Sequence, residues 1–153
     1  MAAAEPVKTL LLKALEARLR EIPEVATVFR WRNIPFDLAE IAKPVLFFWE
    51  EEEKEAGNRL IRGNLELWMQ TFFTLDPEDA PGYTAFEEAA EVVAARIDNL
   101  LAAPGPLRAV GLIMAGPLKQ KVIAQHNEEY GTIFLLYPLQ YGHARGDACS
   151  LNY

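Results

Sequence analysis

RLIRGNLELWMQTFFTL, running from Arg59 to Leu75, decides the fold. It reads with a period of two. Leu65, Leu67, Met69, Thr71 and Phe73 fall on one side, and Glu66, Trp68, Gln70 and Phe72 on the other. Alternation of this kind predicts a long β-strand with one strongly apolar face. Just upstream, Val45–Trp49 is an apolar, aromatic run and reads as a second strand. It runs straight into Glu50-Glu51-Glu52-Glu53-Lys54-Glu55, a segment whose like charges favour a solvated strand extension or a hairpin tip, with Gly57-Asn58 as the turn.

Downstream, Asp76–Gly82 is a loop by composition. Thr84-Ala85-Phe86-Glu87 matches a capping box, in which the threonine hydroxyl and the glutamate carboxylate take free amides at a helix start. Phe86, Ala90, Val93, Ile97 and Leu100/Leu101 continue at helical spacing until Pro104-Gly105-Pro106. Near the N-terminus, Pro6 precedes Val7, Leu11, Leu15, Leu19 and Ile22, which predicts an amphipathic helix ending before Pro23. Thr27, Phe29 and Trp31 alternate with Val28, Arg30 and Arg32 as a first strand, and residues 33–44 form a loop with a short helical turn. After the second helix come a strand over Ala109–Met114, a bend at Gly116-Pro117, a strand over Leu118–Gln125, a turn over Asn127–Gly131 and a strand over Thr132–Tyr141. Pro138 within the last strand implies an edge position or an irregularity. The order is α-β-β-β-α-β-β-β. This is a single α+β domain over residues 1–142, with two helices against a largely antiparallel sheet. Residues 143–153 read as a poorly ordered tail.

Charge and residue usage exclude several functions. The 153 residues hold 15 Lys+Arg against 22 Asp+Glu, a net charge of −7, which opposes nucleic-acid binding as the main activity. The charge is uneven: residues 1–56 carry −3, residues 57–103 carry −5 and residues 104–153 carry +1, so copies can stack head to tail. Cys149 is the sole cysteine, so no intrachain disulfide forms, and cytosolic synthesis is the default expectation. Charges interleaved at helical spacing in the first 23 residues differ from a signal peptide, and no apolar run approaches the ~20 residues that span a bilayer.

Catalytic and metal chemistry find few residues. With one cysteine and two histidines, His126 and His143, a zinc site lacks ligands, and His126 with Glu128 and Glu129 reads as a solvated turn. Cys149 or Ser150 with His143 falls in the expected tail, where nothing holds a nucleophile and base in register. Glu50–Glu53 does not suit a hard cation, because successive strand residues point to opposite faces. No glycine-rich phosphate loop or dinucleotide spacing is present, and Arg145-Gly146-Asp147 is a chance match to an adhesion motif. The expectation is a non-enzyme with no catalytic residue, metal or cofactor. The aromatics are more informative. Phe47, Phe48, Trp49, Trp68, Phe72 and Phe73 lie on two adjacent strands and face both ways. Either helices cover both sheet faces, or one face meets a partner.

The element order has a counterpart. It comprises an amphipathic helix, a strand after Lys43-Pro44, the alternating Asn64–Phe72 strand, a helix from Tyr83-Thr84-Ala85-Phe86 to Asn99-Leu100-Leu101, and a late strand ending Leu135-Leu136-Tyr137-Pro138-Leu139-Gln140-Tyr141. Over about residues 5–142 this resembles the tail terminator (tail completion, minor tail protein U-like) proteins of long-tailed bacteriophages and prophages. The resemblance implies a structural protein, made in the bacterial cytoplasm and ending in the virion tail. It caps the head-proximal end of the tail tube as a six-subunit ring, stops tube polymerisation and joins the head connector. Its partners are then itself, the tail tube protein and the head–tail connector protein, with DNA only passing through the lumen and no membrane involved. An acidic lumen would let DNA slide without sticking.

A ring of one protein needs two different patches per subunit. The candidates are the acidic segment Glu50–Glu55, with Glu51 and Glu53 foremost, and the basic positions Arg59, Arg62, Lys119 and Lys121. Complementary charge would orient neighbours while Trp49 and Trp68 supply the apolar contact. The alternative is a small-ligand or regulatory binding module that uses the aromatic sheet face as its pocket.

Overall fold

The hairpin sets the architecture. In the computed structural model, which describes residues 5–30, 37–57, 60–102, 105–108, 111–116, 120–125 and 129–149, β2 (Val45–Ala56) and β3 (Leu60–Thr74) pair antiparallel along their length. The Gly57 N–H donates to Leu60 O at 2.8 Å and closes the turn. Asn58 and Arg59 lie outside the described residues. The glutamate run is thus a strand extension. Before the hairpin come α1 (Val7–Leu19) and β1 (Thr27–Arg30), and after it α2 (Thr84–Ala102), the short α3 (Gly105–Arg108), β4 (Leu112–Ala115), β5 (Gln120–Gln125) and β6 (Tyr130–Ala144). Trp31 and Arg32, expected to extend the first strand, fall outside the described residues, as do parts of the bend at Gly116-Pro117 and of the turn over Asn127–Gly131.

The fold is α+β with a mixed sheet ordered β1-β2-β3-β6-β4, and β5 also pairs with β6. Among the described pairings only β1–β2 is parallel; the others are antiparallel. Strand β6 lies between β3 on one side and β4 and β5, end to end, on the other. Pro138 sits at the break between them: Ala115 faces Leu139, Gln120 faces Leu136, and the Pro138 carbonyl accepts from Gly116 N–H at 2.7 Å. The irregularity, not an edge position, accommodates the residue that has no N–H to donate.

Both long helices cover one face. Val7, Leu11, Leu15 and Leu19 of α1 and Phe86, Ala90, Val93 and Ile97 of α2 are buried against Leu46, Phe48, Leu65, Leu67, Met69, Ile133, Leu135, Tyr137 and Leu139. The Tyr137 hydroxyl donates to Asp98 of α2 at 2.5 Å. Burial, reinforced by that carboxylate, pushes the phenol far above its ordinary range.

Two expectations need correction. The start of α2 is not capped by the expected Thr84–Glu87 box. A short turn, Pro77–Asp79, brings the Asp79 carboxylate to the helix start, where it accepts from Ala85 N–H at 3.1 Å and Phe86 N–H at 3.2 Å. An anion at that position is also favoured by the helix dipole. The tail, in turn, begins later than residue 143. β6 runs to Ala144, His143 is 7% exposed opposite Ile61, and the Val7 N–H donates to Ala148 O at 2.8 Å. A partner strand and a helix N-terminus fix this segment although its composition is that of a loop.

Candidate functional site

On the sheet face away from the helices, the cover given by the described residues ends partway along the hairpin. At one end Val45, Phe47 and Phe72 form a second small core with Phe29, Leu38, Ile41, Trp49 and Tyr130 packed on it. Phe29 stacks on Phe47, and Phe47 meets Phe72 edge-on. Further along, Trp49 lies directly opposite Trp68 on β3. Their rings stack with centroids 6.4 Å apart and planes 7° from parallel. Both are half-buried, and the Trp68 indole N–H is buried with no acceptor among the described residues. Such a cross-strand aromatic pair stabilises the pairing of the two strands.

Beyond the tryptophans the face becomes acidic. Strand alternation sorts the glutamates into two groups. Glu50 and Glu52 point to the helix side and are neutralised there. Arg30 reaches Glu50 at 2.5 Å, and Lys8 of α1 reaches Glu52 at 2.6 Å and Glu50 at 4.0 Å. Lys54 lies 3.5 Å from Glu52, and the Tyr141 hydroxyl donates to it at 3.0 Å. Burial alone would raise the Glu52 carboxyl, but Lys8, Tyr141 and Lys54 outweigh it and hold the group below its usual value. Burial and the same carboxylate push the Tyr141 phenol up.

Glu51 and Glu53 point the other way. Glu51 faces Glu66 and Glu53 faces Asn64 across the pair. These residues line an open cleft of about 280 Å³. Glu51, Glu53 and Glu66 are exposed and pair with no cation among the described residues. Two like charges opposed on one face destabilise the pair by ~0.2–1 kcal/mol.

The structure therefore brings Trp49, Trp68, Glu51 and Glu53 onto one surface. Arg62, expected in a separate basic patch, is exposed and faces Glu55 at the hairpin tip, so it belongs to the acidic surface. Lys121 is placed apart on β5, opposite Leu135, while Arg59 and Lys119 lie outside the described residues. Glu66 completes the acidic group and was missed in the sequence. Its signal was available, since it lies on the same side of the alternating run as Trp68.

Elsewhere, His143 turns inward beside Tyr141, its Nδ1 2.9 Å from Ala144 O. Among the described residues no group of His, Cys, Asp and Glu is placed to hold a metal ion, and no helix is long and apolar enough to cross a membrane. What the aromatic and acidic arrangement can do is bind a surface that is apolar at one end and cationic at the other. No family model matches the chain, and no curated protein matches it.

Proposed function

We propose that this chain is a structural subunit of a phage tail, a tail terminator that caps the head-proximal end of the tail tube as a ring. In that role it stops tube polymerisation and presents a surface to the head connector. It is made in the bacterial cytoplasm and resides in the virion tail. The observation that carries this reading is the half-buried Trp49–Trp68 stack continuing into Glu51, Glu53 and Glu66, exposed carboxylates that pair with no cation among the described residues. Apolar anchors beside unsatisfied charge are the makings of an oriented protein contact. A net charge of −7 also suits a channel through which DNA passes without being held.

The test is light scattering after size exclusion over a concentration series, with negative-stain images of any large species. A closed ring of six subunits is expected, weakening as salt rises because exposed charge is screened. A monomer or a compact dimer at every concentration would refute the reading.

A further inference from the structure

On the face away from the helices, two clefts share a wall on β3. One, of about 280 Å³, is lined by Glu51, Glu53, Asn64 and Glu66. The other, of about 300 Å³ and more apolar, is lined by Asn64, Glu66, Gly116, Pro138 and Gln140. Gln140 Nε2 donates to Asn64 Oδ1 at 3.0 Å across the shared wall. Glu51, Glu53 and Glu66 are exposed and form no ion pair among the described residues. The tip of the same hairpin carries the opposite sign. Arg62 on β3 and Arg145, just past β6, are both exposed, and neither forms an ion pair among the described residues. Arg145 donates to Gly57 O at 3.3 Å, which holds it at the tip. Leu60, half-buried, faces Ala144 beside it. Arg62 lies four residues from Glu66 on one side of β3, about 13 Å along the strand, and does not pair with it.

We infer that the hairpin tip of one copy docks in the paired clefts of the next. Its Arg62 and Arg145 meet Glu51, Glu53 and Glu66, and its Leu60 lies against Pro138. This rests on the ring reading and names the contact that builds the ring. Charge selects the partner. Cleft on cleft would set carboxylates against carboxylates, and tip on tip would set guanidinium groups against each other, so both twofold arrangements are disfavoured. Only tip in cleft joins opposite signs. Arginine suits the task, because its planar fork meets a carboxylate through two parallel hydrogen bonds. The apolar contact beside the charges shields them from water, so they are worth more than exposed ion pairs. Tip and cleft are different patches of one subunit. The contact is therefore head to tail, the kind that repeats around a ring.

Side-chain footprinting of the unmodified protein, dilute and concentrated, tests this. Carbodiimide-driven amidation labels carboxylates, a dicarbonyl reagent labels arginines, and mass spectrometry of peptides reads both. Assembly should slow labelling several-fold at Glu51, Glu53 and Glu66 and at Arg62 and Arg145 together. A ring in which only one set, or neither, is protected overturns the docking and leaves the tail-cap reading standing. Both sets protected in open filaments upholds the docking and overturns the cap. A monomer at every concentration, with neither set protected, overturns both.

Charge exchange gives a second readout. Glu51→Lys with Glu66→Lys makes the cleft basic like the tip, and Arg62→Glu with Arg145→Glu makes the tip acidic like the cleft. Each variant alone should fold, by circular dichroism, yet fail to assemble. Their equimolar mixture should regain rings of alternating subunits. Assembly of either variant alone, or no recovery on mixing two folded variants, overturns the docking.

Discussion

Replacing Lys8 with methionine tests whether the glutamates facing the helices are neutralised within the subunit. Methionine keeps the stem and removes the charge. Lys8 lies 2.6 Å from a Glu52 carboxylate whose side chain is 12% exposed, whereas Lys8 itself is 34% exposed. After the change, Glu52 keeps the Tyr141 hydroxyl at 3.0 Å and Lys54 at 3.5 Å, and Glu50 keeps Arg30 at 2.5 Å. Hydrogen bonds to charged groups contribute ~1.5–3 kcal/mol when buried, and exposed ion pairs ~0–1 kcal/mol. This half-screened pair falls between them, at about 1–2 kcal/mol. For a chain of this size that lowers Tm by about 3–6 °C. The sign with pH follows from Glu52, whose carboxyl in the fold is held below its ordinary carboxylate value. Its stabilisation is complete above the ordinary carboxylate range and is lost as pH falls through the lowered folded pKa. The gap between wild type and Lys8→Met should be constant from neutrality down to mildly acid pH and close in strong acid. Thermal melts at one low protein concentration measure it without contribution from assembly. A gap that persists unchanged once Glu52 is protonated would show that packing of the Lys8 stem, not its charge, matters. No gap at neutral pH would refute the pair's contribution altogether.

On the opposite face the outcome reverses: Glu51→Gln relieves the repulsion from Glu66 and should leave monomer stability unchanged or raise it by up to ~0.5 kcal/mol, read by urea melts. Asp79→Ala removes the carboxylate that accepts from Ala85 and Phe86 and should cost about 1–2 kcal/mol, with weaker helical signal at the start of α2 by hydrogen exchange. Gly131→Ala would place a Cβ 2.5 Å from the Phe86 ring and should destabilise by ~1–3 kcal/mol, with Phe86→Leu in the same chain recovering part of it. Tyr137 and Tyr141 resist ionising in the fold, so stability should fall as pH rises above the ordinary tyrosine value of 10.0. Tyr137→Phe should cost about 1 kcal/mol at neutral pH and make that alkaline fall shallower in spectrophotometric titration.

Elements that depend on local period were legible in the sequence. The alternation in Arg59–Leu75, the helical stripe from Val7 to Leu19 and the opposite-face rule for Glu50–Glu53 each follow from residues a few positions apart. What needed the chain folded back was not legible. Trp49 meets Trp68, and Arg62 meets Glu55, only because the turn after Ala56 sets one register, and a single-residue slip would change every partner. Asp79 caps α2 from outside the helix, a contact made by a tight turn rather than by capping-box spacing. The parallel β1–β2 pairing has no period of its own. The end of β6 was misread because Gly142–Gly146 is loop-like in composition, while Leu60 and Ile61 on the neighbouring strand hold Ala144 and His143 in the ladder.

The division of the glutamates connects stability to function. A subunit under selection for folding alone could have distributed lysines evenly along β2. Instead Lys8, Arg30, Lys54 and the Tyr141 hydroxyl converge on Glu50 and Glu52, the two that face the helices. Desolvated carboxylates there would otherwise unfold the end of the hairpin. Glu51, Glu53 and Glu66 receive none of this support from the described residues. They remain in water, where each costs little alone, yet Glu51 and Glu66 repel across the strand pair. A cationic group placed beside these side chains would offset the repulsion that they add to the isolated chain. The outer half of β2 should therefore be among the least protected parts of the described sheet in the isolated chain, read by amide hydrogen exchange.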